Sequence, residues 1–243
     1  MRLLAFETST RRLSVALWQD GALLERAADL PNSGSEVLLP WAQALLAEAG
    51  LTLRQVDAVA FGAGPGGFTG LRLACGVAQG LAWGLAIPVV PVPTLAALAL
   101  SAGASRVWTL LDARMNEVYS AAYAVADDVV SEIAAPVCVP PGAGAVPPGL
   151  TFSSSAGRPD LPPGPLAAVG DGFAAYPDLL APHLPHGVDP RPDVWPTAAA
   201  VARLAAPAFA AGQGLEAAQA QPIYVRDKVA LTTAERLARG GSR

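Results

Sequence analysis

The fold is decided by residues 64–72, which read Gly64-Pro65-Gly66-Gly67-Phe68-Thr69-Gly70-Leu71-Arg72. This stretch follows a mostly apolar run at 56–61 and opens a long uncharged run. The pattern predicts a strand, a tight loop and a helix in direct succession. Four glycines in seven positions allow another backbone or a ligand to come close. The amides of 68–70 then fall at a helix N-terminus, which favours an anion or a carboxylate.

This glycine-rich loop has two interpretations that the residues alone leave open. No Lys-Ser or Lys-Thr pair follows Gly70, so the spacing is not that of a P-loop, and it is not a clean GxGxxG. The loop is therefore either a weak phosphate-binding signal or a tight turn that packs a helix against a sheet.

The apolar periodicity predicts an α/β protein whose first unit spans 1–104. The unit begins with an antiparallel hairpin that turns at Asp20-Gly21, and it continues in the order βββαβαβα. We predict strands at 2–7, 13–19, 22–30, 56–61 and 87–92, and helices at 35–49, 68–84 and 94–102.

A second, smaller unit is predicted over 105–243. Asp112 and Arg114 would share one face of its first strand, which favours a structural bridge over a partner contact. We predict strands at 107–111, 118–125, 129–133 and 166–169, helices near 173–180 and at 197–211, Pro-rich irregular stretches at 134–165 and 182–196, and a frayed polar tail from Thr232.

Composition and charge favour a folded protein that does not hold RNA mainly by its own surface. Of 243 residues, 52% are apolar and 15% are charged, which is enough for a sizeable core. The net charge is −4, and the basic residues, among which Lys228 is the single lysine, form no block. Strong direct RNA binding usually needs a basic patch, so it is disfavoured, although folding could still assemble a local one.

The uncharged run at 73–100 raises the question of a membrane span. Three prolines between 88 and 93 interrupt it, so a buried helix, a strand and another helix are the preferred interpretation. No secretory signal is recognised, because Glu7 and Arg11-Arg12 interrupt the N-terminal apolar residues. We predict a cytoplasmic protein with no membrane segment.

Metal and catalytic motifs are weak in this sequence. His183 and His186 lie three apart in a Pro-rich loop, which cannot present a helical i, i+4 metal pair. Cys75 and Cys138 stand alone, without the spacing of a metal site or a disulfide framework. We predict no catalytic residues of a known hydrolase type and no metal site.

The two long helices of the first unit carry more apolar surface than one buried face requires. Helix 35–49 has a wide apolar arc, and helix 68–84 is almost uncharged, with Gly76, Gly80 and Gly84 spaced by four. One side can rest on the sheet, and the other is covered either by the second lobe or by a second chain. Small residues four apart would allow a close helix crossing.

Four motifs occur in order along the chain: Leu3-Leu4-Ala5-Phe6-Glu7-Thr8-Ser9-Thr10 with Leu13-Ser14-Val15-Ala16-Leu17, then 64–82, then Leu111-Asp112-Ala113-Arg114-Met115-Asn116-Glu117-Val118-Tyr119, then Gln221-Pro222-Ile223-Tyr224-Val225-Arg226. Together they resemble the bacterial tRNA threonylcarbamoyladenosine biosynthesis family TsaB, also called YeaZ. The resemblance spans nearly the whole chain.

This resemblance implies a two-lobed actin-like ATPase (ASKHA) fold, each lobe a mixed sheet with helices packed on it. It implies a non-catalytic accessory subunit that docks and activates a TsaD-type catalytic paralogue in the complex that forms threonylcarbamoyladenosine in tRNA. The other implied partners are a TsaE-type ATPase subunit and tRNA reached through the complex, and the chain alone is expected to be a homodimer. The resemblance implies no cofactor of the chain's own, and it is compatible with ATP or ADP bound at a subunit interface.

The resemblance also supplies candidate site residues. The implied partner interface lies on the two long helices and comprises Leu38, Trp41, Leu45, Leu73, Gly76, Val77 and Gly80. By analogy with actin-like ATPases, the candidates near a phosphate or nucleotide are Glu7, Ser9, Gly66, Gly67, Phe68, Thr69 and Gly70. Gly170-Asp171-Gly172 is either the matching second-lobe loop or a common turn.

The chain departs from the family pattern at Glu7, Gly34 and Gly67, where Asp, His and Ser are more frequent. The alternative function is a small-molecule kinase or ATPase of the actin-like superfamily that uses Glu7 and the 64–70 loop. A third hypothesis, a metalloprotease, would require stoichiometric metal.

Overall fold

The first half of the chain forms a five-stranded mixed sheet in this computed structural model, which describes residues 1–30, 34–147 and 165–226. Its strands are β1 (Arg2–Glu7), β2 (Arg12–Gln19), β3 (Ala22–Asp29), β4 (Ala58–Gly64) and β5 (Val89–Pro93). The spatial order is β3-β2-β1-β4-β5, with the first three antiparallel and the last two parallel to β1. The carboxyl ends of β1 and β4 therefore meet at one edge of the sheet, where the loop at 64–70 begins.

Two helices cover one face of this first sheet. They are α1 (Gly34–Glu48) and α2 (Phe68–Leu85). Between them and the sheet lies an apolar cluster built on Leu4, Phe6, Val15 and Phe61. The opposite face of the sheet packs mainly small side chains, including Ala5 and Ala60, against α3 (Thr94–Ser101) and a helix from the second half of the chain.

The second sheet is also five-stranded and mixed, in the order β10-β9-β6-β7-β8. Its strands are β6 (Arg106–Arg114), β7 (Glu117–Ala126), β8 (Val129–Val139), β9 (Leu166–Val169) and β10 (Pro190–Arg191). Its helices are α4 (Gly172–Ala175) and α5 (Pro177–Leu180). The predicted order βββαβαβα and the two mixed sheets of an actin-like α/β fold are thus confirmed.

The helix α6 (Ala198–Ala210) comes from the second half of the chain but packs on the first sheet. Its first turn is capped by three side chains: Ser14 and Glu25 accept the amides of Ala198 and Ala199 at 2.7 and 2.8 Å, and Thr197 accepts that of Ala200 at 3.1 Å. The lobe boundary predicted at 104/105 places α6 in the second lobe, whereas the helix packs against the sheet of the first lobe.

Three sequence predictions in the second half need correction. Strand β8 continues to Val139 instead of ending at Ile133, because its pairing with β7 resumes beyond a bulge. Pro136 is tolerated there because it lies at this bulge, between Ala134 and Val137, which pair with Ala122 and Ser120, and has no partner of its own in the register. The helix predicted near 173–180 is split before Pro177, which lacks an amide donor. The short strand β10 was missed.

Parts of several predictions lie outside the described residues. They are residues 148–164 of the Pro-rich stretch, Lys228 and the tail from Thr232. Within the described ranges, none of the helices is both long and apolar enough to cross a bilayer.

Candidate functional site

The loop between β4 and α2 is held against the end of β1 by backbone contacts. The Gly67 amide donates to the Ser9 carbonyl at 2.7 Å, and the Thr8 hydroxyl donates to the Gly70 carbonyl at 2.7 Å. A Cβ atom on Gly70 would stand only 1.9 Å from the Thr8 carbonyl oxygen, so this contact requires glycine. Gly64 has φ +118°, which also favours glycine, and the peptide bond before Pro65 is cis. Of the two interpretations of this loop, the tight turn that packs a helix against a sheet agrees with these contacts.

Glu7 lies beneath this loop and is fully buried. Its Oε1 accepts the Ser9 amide at 2.7 Å, and its Oε2 lies 3.5 Å from the Thr94 hydroxyl, which itself accepts the Gly64 amide. Burial raises the pKa of Glu7 above its usual value, although its hydrogen bonds favour the ionised form. Glu7 therefore braces the ends of β1 and β4 from below and, unlike the other candidates near a phosphate, does not line the cleft described next.

A cleft of about 1100 Å³ opens above the loop, between the two lobes. Its first-lobe wall contains six of the predicted residues, Ser9, Gly66, Gly67, Phe68, Thr69 and Gly70. Its second-lobe wall contains the end of β6 and Asp171, so the Gly170-Asp171-Gly172 turn does face the glycine-rich loop. The N-terminus of the 18-residue helix α2 also opens into the cleft.

The acidic residues of the cleft are committed to internal contacts. Asp112 accepts the Arg114 amide at 2.8 Å and pairs with its guanidinium at 3.0 Å. Asp171 accepts the Asp112 amide at 3.0 Å, and burial raises the pKa of Asp171 above its usual value. The Asp112–Arg114 pair is therefore local to one turn of chain, at an irregularity in the pairing of β6, and does not bridge separate loops.

Four arginines also line the cleft. Arg114 and Arg226 each form an ion pair, with Asp112 and Glu117 respectively. Arg11 lies 3.7 Å from Asp29 and over the ring of Trp195. Arg72 lies over the ring of Phe68. Folding thus gathers arginines around one cavity in a chain whose net charge is negative.

The C-terminal motif forms a strap across the cleft, made of residues 221–226. The Ile223 amide donates to the Ala63 carbonyl of β4 at 2.7 Å. At the other end, Arg226 donates to the Ala113 carbonyl at 2.9 Å and pairs with Glu117 at 2.6 Å. This segment therefore joins the two lobes, a role that no local pattern in its sequence indicates.

The predicted partner interface divides by burial. Leu38 and Leu45 are 0% and 1% exposed and pack beneath α1, so their assignment to a docking surface is wrong. Trp41, Leu73 and Val77 are half-buried against the same cluster, whereas Gly76 and Gly80 are exposed.

We define the α2 face as the exposed side of α2, which comprises Phe68, Arg72, Gly76, Gly80 and Trp83. Trp83 is 74% exposed and Phe68 52%, and apart from the backbone of α2 itself no atom lies within 4 Å of the position a Cβ would take on Gly76 or Gly80. Residues of the second half cover part of α2, where the Gln79 side chain donates to the Ala220 carbonyl at 2.8 Å, but as far as the described residues extend they leave the α2 face exposed. The exposure of Phe68 and Trp83 was not predicted, because the sequence of an almost wholly apolar helix does not reveal which of its sides packs on the sheet.

Metal-type side chains do not cluster in the part of the chain that the structure describes. Residues 1–30, 34–147 and 165–226 contain no group of three or more His, Cys, Asp or Glu suited to holding a metal ion. His183 ends a short 3₁₀ turn at Ala181–His183, outside the cleft.

Two mixed sheets joined across a glycine-walled cleft define the class as a two-lobed actin-like ATPase fold. The family model for TsaD, tRNA N6-adenosine threonylcarbamoyltransferase, matches residues 32–233. The tRNA threonylcarbamoyladenosine biosynthesis protein TsaB of Escherichia coli K12 is 34% identical over 236 residues, covering 95% of this chain and 96% of that protein. This chain belongs to the TsaB, or YeaZ, family within that broader transferase group.

Further relatives agree with this assignment. TsaB of Haemophilus influenzae is 46% identical over 123 residues, which are 49% of this chain and 52% of that protein. The solved structure of YeaZ from Pseudomonas aeruginosa superposes with a TM-score of 0.78 at 38% identity, covering 92% of this chain and 99% of that chain.

Proposed function

We propose that this chain is a non-catalytic accessory subunit of the complex that forms threonylcarbamoyladenosine in tRNA, and that it docks and activates a TsaD-type catalytic paralogue. The observation that carries the proposal is the α2 face, an exposed apolar surface on a chain that matches TsaB of E. coli over almost its full length. Exposed apolar patches on soluble proteins mark surfaces that another molecule covers.

The geometry of the α2 face suits a helix of a partner chain. Gly76 and Gly80 present bare backbone, so a second helix can approach closely, and Phe68 and Trp83 stand at the two ends. Aromatic anchors flanking a flat, well-packed centre are typical of interface hot spots. Leu39 of α1 is also a large exposed apolar side chain, at 44%.

The burial of Glu7 supports the non-catalytic part of the proposal. A carboxylate that holds a metal or orients a phosphate must reach the ligand, and Glu7 does not line the cleft. The Asp171 carboxylate accepts the Asp112 amide, and the Asp112 carboxylate accepts the Arg114 amide and pairs with the Arg114 guanidinium. In this account the chain has no cofactor of its own, and a subunit interface is the place where ATP or ADP would bind.

The other partners act on the assembled complex. A TsaE-type ATPase subunit acts on the complex, tRNA is reached through the catalytic paralogue, and the work takes place in the cytoplasm. The chain alone forms a homodimer through the same apolar surface, which the paralogue then replaces.

Size-exclusion chromatography with the purified TsaD-type paralogue from the same organism tests the docking. We expect a stable complex that contains both chains, and a self-associated species when this chain is run alone. Separate elution of the two chains at micromolar concentration would overturn the proposal.

A second candidate is a small-molecule kinase or ATPase, favoured by one observation: the N-terminus of α2 and Arg72 both face a cleft of nucleotide size. It predicts that ATP with magnesium raises the melting temperature of the isolated chain by mass action. No shift at millimolar ATP would remove this candidate.

A further inference from the structure

Exposed arginines and aromatic rings surround the mouth of the cleft. We define the cleft rim as the exposed arginine and aromatic residues that line the cleft, namely Arg11, Phe68, Arg72, Arg114 and Tyr224. The side chains of Arg114 and Arg11 are 85% and 62% exposed, and Tyr224 and Phe68 are 54% and 52% exposed. The rim extends from α2 across the strap to the turn between β6 and β7, so both lobes contribute to it.

Arg72 is held in place on the first-lobe side of the rim. Its guanidinium carbon lies 3.9 Å from the centre of the Phe68 ring, and its Nε donates to the Tyr224 hydroxyl at 3.4 Å. Its Nη groups have no acceptor among the described residues. A guanidinium whose plane is fixed by stacking and whose Nη groups are free is suited to a phosphate group, which accepts two parallel N–H donors.

Arg114 is held on the second-lobe side by a strained turn. Arg114, Met115 and Asn116 all have positive φ, at 61°, 57° and 58°, a backbone conformation that L residues rarely adopt in succession. Two hydrogen bonds from Arg226, to the carbonyls of Ala113 and Arg114 at 2.9 and 3.2 Å, join this turn to the strap. Backbone strain of this kind is concentrated at catalytic and ligand-binding sites, so the turn supports a binding role for Arg114.

The exposed charge of the rim is positive, although the chain as a whole carries a net charge of −4. Among the described residues that line the cleft, the acidic ones are Asp112 and Asp171. The Asp112 side chain is only 12% exposed, and burial raises the pKa of Asp171 above its usual value. Arg11 and Arg114 each have a carboxylate neighbour, but ion pairs of exposed arginines contribute little and can exchange for another anion. Folding therefore assembles a local basic patch that composition alone does not reveal.

Guanidinium groups interleaved with exposed aromatic rings are typical of surfaces that bind single-stranded nucleic acid. In such proteins the cations contact phosphates, and the bases stack on the rings. A free nucleotide fits the rim less well, because small-molecule sites enclose most of their ligand. Both rings of the rim, and the side chains of Arg11 and Arg114, are instead more than half exposed.

We infer that the cleft rim binds a single-stranded segment of RNA, with its phosphates on Arg72 and Arg114 and one base stacked on Tyr224. The choice of tRNA as that RNA rests on the proposed function, in which the paralogue brings tRNA to the complex and the rim adds a second contact. Arg226 is a positioning residue, because its side chain is only 13% exposed and acts through the turn that carries Arg114.

Fluorescence anisotropy of a labelled, unmodified tRNA transcript, titrated with the full chain at about 50 mM salt and without nucleotide, tests the inference. Arg72→Gln and Arg114→Gln are each expected to weaken binding about threefold or more, and to reduce the slope of log affinity against log salt concentration by about 0.7. Tyr224→Ala is expected to weaken binding about tenfold through lost stacking, whereas Tyr224→Phe keeps the ring and should bind nearly as well as wild type. Arg54→Gln is the matched control: it removes an exposed arginine that does not line the cleft, and it is expected to leave binding unchanged.

Absence of binding at about 100 μM chain, or an equal loss in Arg54→Gln and Arg114→Gln, would overturn the inference. Competitors identify the ligand. If millimolar ATP, or polyglutamate of equal charge, displaces the labelled RNA as well as unlabelled tRNA does, the rim takes a free nucleotide or an acidic protein segment, and the choice of RNA is overturned. Unchanged melting temperatures verify that the variants fold.

The titration contains no paralogue, so its result is distinguishable from that of the docking experiment. RNA binding by a chain that forms no complex with the paralogue would leave the rim as an RNA site and remove the proposed function. A complex that forms with a chain whose rim does not bind RNA would leave the proposed function and remove this inference.

Discussion

The amide of Ile223 donates a hydrogen bond to the carbonyl of Ala63, 160 positions earlier, at 2.7 Å. This bond places the C-terminal segment beside the glycine-rich loop. A Cβ atom on Gly64 would lie 2.6 Å from the Ile223 carbonyl, so loop and segment are fitted to each other. Three residues later Arg226 reaches the turn between β6 and β7. The two lobes are thus tied together on the cleft side by one short segment.

Removing the Arg226 end of this strap is expected to loosen the cleft. Arg226→Ala loses the hydrogen bonds to the carbonyls of Ala113 and Arg114 and the pair with Glu117, in a side chain that is only 13% exposed. We expect the free energy of unfolding to fall by about 2 kcal/mol, the scale of hydrogen bonds to charged groups. Chemical denaturation measures the loss, and hydrogen exchange should show faster exchange of the Ile223 amide.

Arg226→Lys is the comparison for this change, because it keeps the charge beside Glu117 but not the geometry of the fork. An intermediate loss of stability is expected. Stability and Ile223 exchange that are unaltered in Arg226→Ala would contradict the description of the strap.

The close contact between Gly70 and Thr8 predicts a pair of opposite glycine effects within α2. Gly70→Ala puts a Cβ atom 1.9 Å from a backbone oxygen, so the backbone must shift, and we expect a loss of about 2 kcal/mol or more. Gly76→Ala meets nothing within 4 Å and gains helix propensity, so the isolated chain should become more stable by up to about 1 kcal/mol. Thermal unfolding of both variants measures the difference, and equal effects would argue against the loop geometry.

Gly76→Leu is expected to block docking without unfolding the chain. The Cβ position is open, so the isolated protein tolerates leucine, but the side chain keeps a partner helix from approaching. We expect affinity for the TsaD-type paralogue to fall at least about tenfold, the cost of overpacking an interface. Ser131→Leu, which adds the same side chain on the exposed strand β8, serves as control and should bind normally.

Leu38→Glu, in contrast, is expected to destroy the protein. Leu38 is fully buried, and an unpaired charge in that position cannot be solvated. Circular dichroism should show loss of the folded state, or a drop in free energy of unfolding of more than about 3 kcal/mol. A folded Leu38→Glu protein that merely failed to bind its partner would restore the sequence-based assignment of Leu38 to the interface.

Glu7 gives the chain a specific pH dependence. Burial raises the pKa of Glu7 in the folded state above its ordinary value of 4.5. The folded state therefore binds this proton more tightly than the unfolded state, and the resulting stability is present below about 4.5 and lost as pH rises through the folded pKa. Glu7→Gln cannot lose the proton and keeps an acceptor for the Ser9 amide.

The free energy of unfolding of wild type, minus that of Glu7→Gln, should fall as pH rises from 4 to 8. Urea titrations at several pH values measure it. The raised pKa values of Glu25 and Asp171 are present in both proteins and cancel in the difference. A difference that stays flat, or that rises with pH, would mean that burial does not dominate at Glu7.

The strand, loop and helix at 56–85 were predictable because an apolar run, a Gly- and Pro-rich stretch and a nearly uncharged run follow one another there. Few local structures other than strand, tight loop and buried helix are compatible with that order. The side of α2 that faces solvent was not predictable, since the periodicity of apolar residues does not show which of two apolar faces packs on the sheet and which stays exposed. For the same reason Leu38 and Leu45 were assigned to the surface. The buried position of Glu7 and the strap at 221–226 depend on contacts between distant segments, which local patterns do not encode.

The central claim is that this chain activates a catalytic paralogue instead of catalysing the reaction itself. The most direct measurement is the rate of threonylcarbamoyladenosine formation on tRNA by the TsaD-type paralogue, with its adenylate donor supplied, as this chain is titrated in. The account predicts no modification by this chain alone, a low rate with the paralogue alone, and a rate that saturates near one chain per paralogue and is lost with Gly76→Leu. A paralogue that works at full rate without this chain, or modification by this chain alone, would contradict the account.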